Sequence, residues 1–209
     1  HFQVRANVAD AGPEQATIPF LQRADRKALT ARKLGQHFLG SPLATATSLG
    51  YEKNKRKNEK LLLSALTNPA HFDPWLKCLN EAGAALAGIY TVAQMGGQLL
   101  KKLGKPTARS LLLTYQDHSI RESYLVDGKP QFSRMTPLFD SSIAGIASRF
   151  ATEAAKLYQY LDGQRHIGRN DTIPVYILAH PHAISAVRQT CIDSSNLNFE
   201  IIDSHQAAG

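Results

Sequence analysis

From Phe20 to Phe38 the apolar residues Leu21, Ala24, Ala28, Ala31, Leu34 and Phe38 recur at short, helix-like intervals. That spacing predicts a helix, and Gly40-Ser41-Pro42 ends it. Ala44 to Tyr51 predicts a strand. Lys53 to Asn58 then forms a polar turn, and Leu61 to Leu66 the short apolar strand returning from it. Asn68-Pro69 opens a second helix, with Asn as N-cap and Pro at the first helical position. Phe72, Trp75, Leu76 and Leu79 give it one apolar stripe, and Gly83 stops it. Leu86 to Val92 predicts a strand, Ala93 to Leu103 a helix closed by Gly104, and Ser110 to Tyr115 another strand. Ser119 to Val126 and Pro130 to Met135 flank Asp127-Gly128, a pair suited to a type I′ hairpin turn. A long helix follows over Ser141 to Leu161, where Ile143, Ile146, Phe150, Ala154, Leu157 and Leu161 share one face. Pro174 to Leu178 is a strand, Ala183 to Cys191 a short helix and Phe199 to Ile202 a last strand; Ala11-Gly12-Pro13 reads as loop. Strands alternating with helices predict an α/β fold whose sheet faces are covered by helices. The Asp127-Gly128 hairpin makes the sheet mixed rather than wholly parallel.

Composition narrows the picture. Over 209 residues, 43% hydrophobic and 20% charged, the chain has the make-up of a globular protein with a real core. No run approaches the roughly 18 apolar residues of a spanning helix. Two cysteines do not make a disulfide framework. The net charge of +7 is concentrated. Between Leu21 and Lys60, ten basic residues (Arg23, Arg26, Lys27, Arg32, Lys33, Lys53, Lys55, Arg56, Lys57 and Lys60) face only Asp25, Glu52 and Glu59; elsewhere fourteen basic residues balance fourteen acidic ones. Such a segment fits a patch for phosphates or anionic headgroups, or a solvated loop and helix face. No aromatics interleave Lys53-Asn54-Lys55-Arg56-Lys57, which weighs against single-strand nucleic-acid binding.

Candidate chemistry is sparse. Neither a Gly-x-Ser-x-Gly elbow nor a Gly-x-x-x-x-Gly-Lys-Ser/Thr loop occurs. His180-x-His182, completed by His166, His205 or Asp203, is a weak metal candidate set against a plain polar loop, and we expect no metal. Cys78 and Cys191 read as small helical hydrophobes rather than nucleophiles. Gly96-Gly97, inside a helical pattern, reads as a close-packing site. Glu81, Glu122, Glu153 and Asp140 are acids that nothing in the sequence pairs. Trp75 reads as core, with a partner-binding anchor as the lesser reading.

One resemblance adds to this. A strand, the hairpin "DGKPQFSR", a long helix ending "KLYQYL", a short strand and a helix follow in order. This order resembles the actin-like ATPase fold (a ribonuclease H-like lobe) as used by the PilM-type proteins of type IV pilus assembly and the GspL-type proteins of type II secretion. The stretch "EKLLLSALTNPAHFDPWLKCLNEAGAALAGIYTVAQMGGQLLKKLG" is similar to the same family. The helix "FLQRADRKALTARKLGQHF" and its hairpin resemble the small inserted subdomain of PilM-type proteins. The resemblance runs over roughly residues 17–205. It implies residues 1–16 as the remnant of a longer chain, 17–66 as a small helix-plus-hairpin subdomain, and 67–209 as the actin-like α/β region.

The family holds nucleotide with glycine-rich turns, because backbone N–H groups must reach phosphate oxygens with no Cβ in the way. The first such hairpin would precede residue 1. The second corresponds to Gln116-Asp117-His118, which has no glycine. The adenosine turn corresponds to His180-Pro181-His182, where proline also removes an N–H. These positions are degenerate, so we expect no cofactor and no catalytic residues: a non-catalytic scaffold, at the inner face of the cytoplasmic membrane, for protein partners of a pilus or secretion machine. Arg26, Arg32, Lys33, Lys53, Lys55, Arg56 and Lys57 are the expected contact residues. Two alternatives remain: an ATPase or kinase-like protein completed by residues before His1, and a nucleic-acid-binding module using the basic segment 21–60.

Overall fold

The computed structural model describes residues 2–6, 8, 11–39, 41–52, 56–66 and 68–208. The chain divides into two compact units, residues 1–92 and 93–209.

In the first unit, strand β1 (Phe2–Ala6) pairs in parallel with β5 (Leu86–Thr91). A separate antiparallel sheet has the order β2 (Ala11–Ile18), β4 (Glu59–Ala65), β3 (Ala44–Tyr51). Residues 11–13, expected as loop, instead begin β2; the register slips between Ala11 and Glu14, so the turn-forming residues are accommodated as an irregularity in the strand. Helix α1 (Arg23–Phe38) lies on this sheet through Leu29, Leu34 and Phe38, which pack on Ala16, Ile18, Leu61 and Leu63. Its expected stripe is corrected: Ala24, Ala28 and Ala31 are exposed. Leu29, one position from Ala28, buries more apolar area and with the expected Leu34 and Phe38 sets the rotation of the helix. Helix α2 (Asp73–Glu81) follows a short 3-10 turn at Pro69–His71. Phe72 and Leu76 join Ala6 and Leu66 in a second cluster. Trp75, expected in the core, is 70% exposed.

The second unit opens with helix α3 (Val92–Lys102), whose first residue belongs to the preceding unit. Its five strands are β6 (Arg109–Gln116), β7 (Ser119–Val126), β8 (Lys129–Pro137), β9 (Ile173–Ala179) and β10 (Leu197–Asp203). They lie in the order β10-β9-β6-β7-β8. β10, β9 and β6 run parallel, and β6, β7 and β8 antiparallel, so the sheet is mixed as expected. Leu111 and Leu113 point to one face, where helix α4 (Ile143–Gly163) buries Phe150, Ala154, Leu157 and Leu161. Leu112 points to the other, against Leu125, Tyr176 and Leu100 of α3. A strand covered on both faces needs the unbroken run Leu111-Leu112-Leu113. Helices α5 (Ile184–Thr190) and α6 (Ser204–Ala208) complete the unit.

Two glycine positions are structural. Asp127 and Gly128 both have positive φ (50° and 72°), as a type I′ turn requires. Gly97 of α3 packs directly on that turn: a Cβ there would overlap the carbonyl oxygen of Gly128, and one on Gly96 would lie 2.7 Å from Leu112 Cδ2. Gly96-Gly97 is thus a close-packing site. At the opposite margin, Ile173 donates to the Asn196 carbonyl, which fixes the even residues of β10 toward β9. The backbone N–H and C=O groups of the odd residues point away from β9, while the side chains of Leu197, Phe199 and Ile201 pack on the core. Of their N–H groups, that of Leu197 donates to Ser194 Oγ (3.1 Å) and that of Phe199 to Asp193 Oδ1 (2.7 Å).

Candidate functional site

The expected site positions gather along one edge of the five-stranded sheet. β6, β9 and β10 are parallel, so their carboxyl ends share that edge. β8 ends there too, and α4 starts there. Open α/β sheets place ligands at this edge.

β6 passes into β7 through Asp117 and His118 alone. Both are left-handed, at φ 50° and 52°. Glycine would adopt this geometry freely, whereas each L side chain costs about 1–2 kcal/mol. The turn is tied to the β8–α4 loop: Leu138 N–H donates to the His118 carbonyl (2.8 Å), and His118 Nδ1 lies 2.8 Å from Ser141 Oγ. His118→Gly is expected to stabilise the chain by roughly 0.5–1 kcal/mol, read as a higher urea midpoint. Asp140 Oδ1 accepts from Ser142 N–H (2.9 Å), and Ser142 Oγ caps α4 by accepting from Gly145 N–H (3.0 Å). The Ser142 backbone N–H, and then its hydroxyl, hold the Asp140 carboxyl below the usual range.

After β9, His180 is extended and Pro181–Ala183 form a 3-10 turn. His180 Nδ1 accepts from His182 N–H at 3.3 Å. The His180 ring lies 4.9 Å from that of His182 and 4.8 Å, edge-on, from that of His205. Asp203 Oδ1 accepts from His205 N–H (2.8 Å). So His180, His182, Asp203 and His205 do converge. His166 does not: it follows the far end of α4, where its carbonyl is 3.5 Å from the Tyr124 hydroxyl. Among the described residues no group of three or more His, Cys, Asp or Glu has the geometry to hold a metal ion. The lone pair of His180 Nδ1 is already committed to a backbone N–H.

Two carboxylates that the sequence left unpaired are joined. Glu122 is fully buried on β7; its Oε2 accepts from Arg134 Nε (2.6 Å) and its Oε1 from Thr136 Oγ1 (2.6 Å). Arg134 Nη2 also donates to Glu153 Oε2 on α4 (2.8 Å). Lys156 Nζ and Arg149 Nε each lie 3.1 Å from Glu153 Oε1. Burial pushes Glu122 above the ordinary carboxylate range, and Thr136 and Arg134 oppose that shift. The network ties hairpin to helix away from the turns and is a structural clamp. Cys191 is buried and its thiol is pushed up to about 11 by burial, which makes it inert; Cys78 is exposed, not buried as expected.

Of the expected contact residues, Arg26 is held by Glu59, with Nε to Oε2 at 2.7 Å and Nη2 to Oε1 at 2.9 Å. This partner lowers the Glu59 pKa. Arg32, Arg56 and Lys57 are exposed and Lys33 is half-buried. Lys53 and Lys55 lie outside the described residues. A further feature, with no signal in the sequence because its residues lie 31 positions apart, is an exposed Phe20–Tyr51 ring pair with centroids 6.0 Å apart.

No protein-family model and no curated protein matches the chain. Its architecture is the actin-like ATPase fold. Among solved structures it is similar to a chain of the PilM-PilN type IV pilus biogenesis complex, at 14% identity and a TM-score of 0.63, covering 98% of this chain and 70% of that one. A Bacteroides thetaiotaomicron protein with an actin-like ATPase fold and unknown function is similar at 8% identity and a TM-score of 0.40, covering 99% and 71%. The ethanolamine utilization protein EutJ from Carboxydothermus hydrogenoformans gives 8% and 0.38, covering 58% and 54%. The last two likenesses are too loose to argue from. No helix among the described residues is long and apolar enough to cross a membrane.

Proposed function

We propose that the chain is a non-catalytic member of the PilM-like fold group, a scaffold that binds protein partners in a pilus-assembly or type II secretion-like machine at the inner face of the cytoplasmic membrane. The observation that carries this reading is the glycine-free edge of the second unit. Asp117 and His118 occupy a turn whose two residues are both left-handed, and each carries a Cβ beside the N–H that a phosphate oxygen would have to reach. Across the edge, Pro181 offers no N–H, and His180 and His182 bring rings to the place of a bare backbone. An edge filled in this way suits a protein contact better than a triphosphate. The fold alone does not assign an activity; the site does.

The residues proposed for partners in the first unit are Arg32 and Lys33 on α1 and Arg56 and Lys57 before β4, with Lys53 and Lys55, outside the described residues, proposed on their sequence alone. Arg26 is held by Glu59 rather than meeting a partner itself.

Isothermal titration with Mg-ATP tests the central claim. No heat of binding is expected at concentrations up to the millimolar range. Micromolar affinity would overturn the non-catalytic reading and favour an ATPase completed by residues outside this chain.

A further inference from the structure

The hairpin end of the first unit collects cations around exposed aromatic rings. Phe20 is 63% exposed and Tyr51 54%. Their rings lie 6.0 Å apart, tilted by 57°. Tyr51 stands opposite Glu59 in the β3–β4 register, and Glu59 holds Arg26 in the first turns of α1. Those contacts bring the start of α1 and the hairpin tip to the same end of the unit. Arg23 and Lys27 are exposed on α1, and Arg56 and Lys60 on the hairpin.

The helix is built against its own stability here. The Gln22 N-cap makes no side-chain hydrogen bond, and besides Arg26, which Glu59 meets, Arg23 and Lys27 lie near the positive end of the dipole, with Asp25 as the acidic residue of the first turn. Cations at a helix start are unfavourable unless an external anion meets them. Amphipathic aromatics within a cationic ring are the composition of a surface that settles into lipid headgroups. Against a nucleic acid stands the lack of aromatics interleaved through the basic run 53–57, since a strand binder alternates stacking rings with cations.

We infer that this end of the first unit docks on an anionic bilayer, with Phe20 and Tyr51 entering the headgroup layer and Arg23, Lys27, Arg56 and Lys60 meeting lipid phosphates. The inference deepens the partner reading for one end of the basic surface and rests on that reading's placement of the chain beside a membrane. Arg32 and Lys33, farther along α1, stay available to protein.

Co-sedimentation of the full chain with vesicles tests it. One set is phosphatidylcholine alone and the other an equal mixture with phosphatidylglycerol. Binding is expected to the mixed vesicles only, and to weaken as salt rises. Arg23→Glu with Lys27→Glu should weaken it about tenfold or more. Those substitutions suit a helix start, so folding is not at risk; circular dichroism checks this. Phe20→Ala with Tyr51→Ala should weaken binding severalfold at unchanged charge. Lys101→Glu, at an exposed position on α3 of the second unit, should leave it largely intact. Equal binding to both vesicle types, or none to either, overturns the inference. So does binding of a single-stranded oligonucleotide in place of vesicles. Neither failure touches the ATP titration, so the two readings fall separately.

Discussion

Arg134→Ala is expected to destabilise the second unit by about 3 kcal/mol where Glu122 is ionised, because it leaves that buried carboxylate with Thr136 as its remaining hydrogen-bond donor. Arg134 is itself about one-third exposed, which holds the figure to the low end for breaking a buried pair. Glu153 keeps Lys156 and Arg149, so the loss falls mainly on Glu122. The pH dependence has a definite sign. Burial raises the folded-state pKa of Glu122 above its unfolded value. The folded chain therefore holds that proton more tightly, and its stability contribution declines as pH rises through the raised value. Removing Arg134 raises the value further. The deficit of the variant should be largest near about pH 8 and shrink toward about pH 5. Urea denaturation at both values measures it. Glu122→Gln added to Arg134→Ala should recover most of the loss. A deficit independent of pH, or no recovery, would show that Arg134 acts through packing alone.

Gly97→Ala should cost about 2 kcal/mol or more, although alanine is the better helix former by about 1 kcal/mol. Its Cβ would collide with the Gly128 carbonyl, which is backbone and cannot rotate away. Either α3 lifts from the hairpin or the left-handed turn distorts. Gly35→Ala provides the contrast. Gly35 is also helical, and a Cβ there meets nothing within 4 Å, so that variant should gain up to about 1 kcal/mol. Thermal midpoints of the two variants should move in opposite directions. Parallel shifts would contradict the contact.

Much of the second unit was legible because its signals are local. The run Leu111-Leu112-Leu113 announces a doubly covered strand, and Asp127-Gly128 fixes a hairpin in two residues. The Glu122–Arg134 pair shows where such counting stops. Val126 stands opposite Lys129, and counting outward from the turn places Glu122 opposite Ser133. A bulge beyond Leu125 and Pro130 shifts the register by one, so Arg134 arrives instead. Arg26 and Glu59 are 33 residues apart, with nothing local to join them. Trp75 misled for another reason: Phe72, Trp75 and Leu76 share a helical face by spacing, but the sheet beneath α2 receives Phe72 and Leu76 and leaves the indole outside. Periodicity gives a stripe without its width. At the candidate edge the residue types were visible in sequence, while the meeting of His180 with His205 depended on two strands ending side by side.

The loop before β10 has a wider consequence. With Asp193 and Ser194 occupying the amides of Phe199 and Leu197, that flank cannot template a foreign strand along those positions. A crowded protein stays dispersed only where its open strand edges are kept from pairing with other chains. Here two short polar side chains take up two of the amides that this border of the sheet would otherwise offer to another chain.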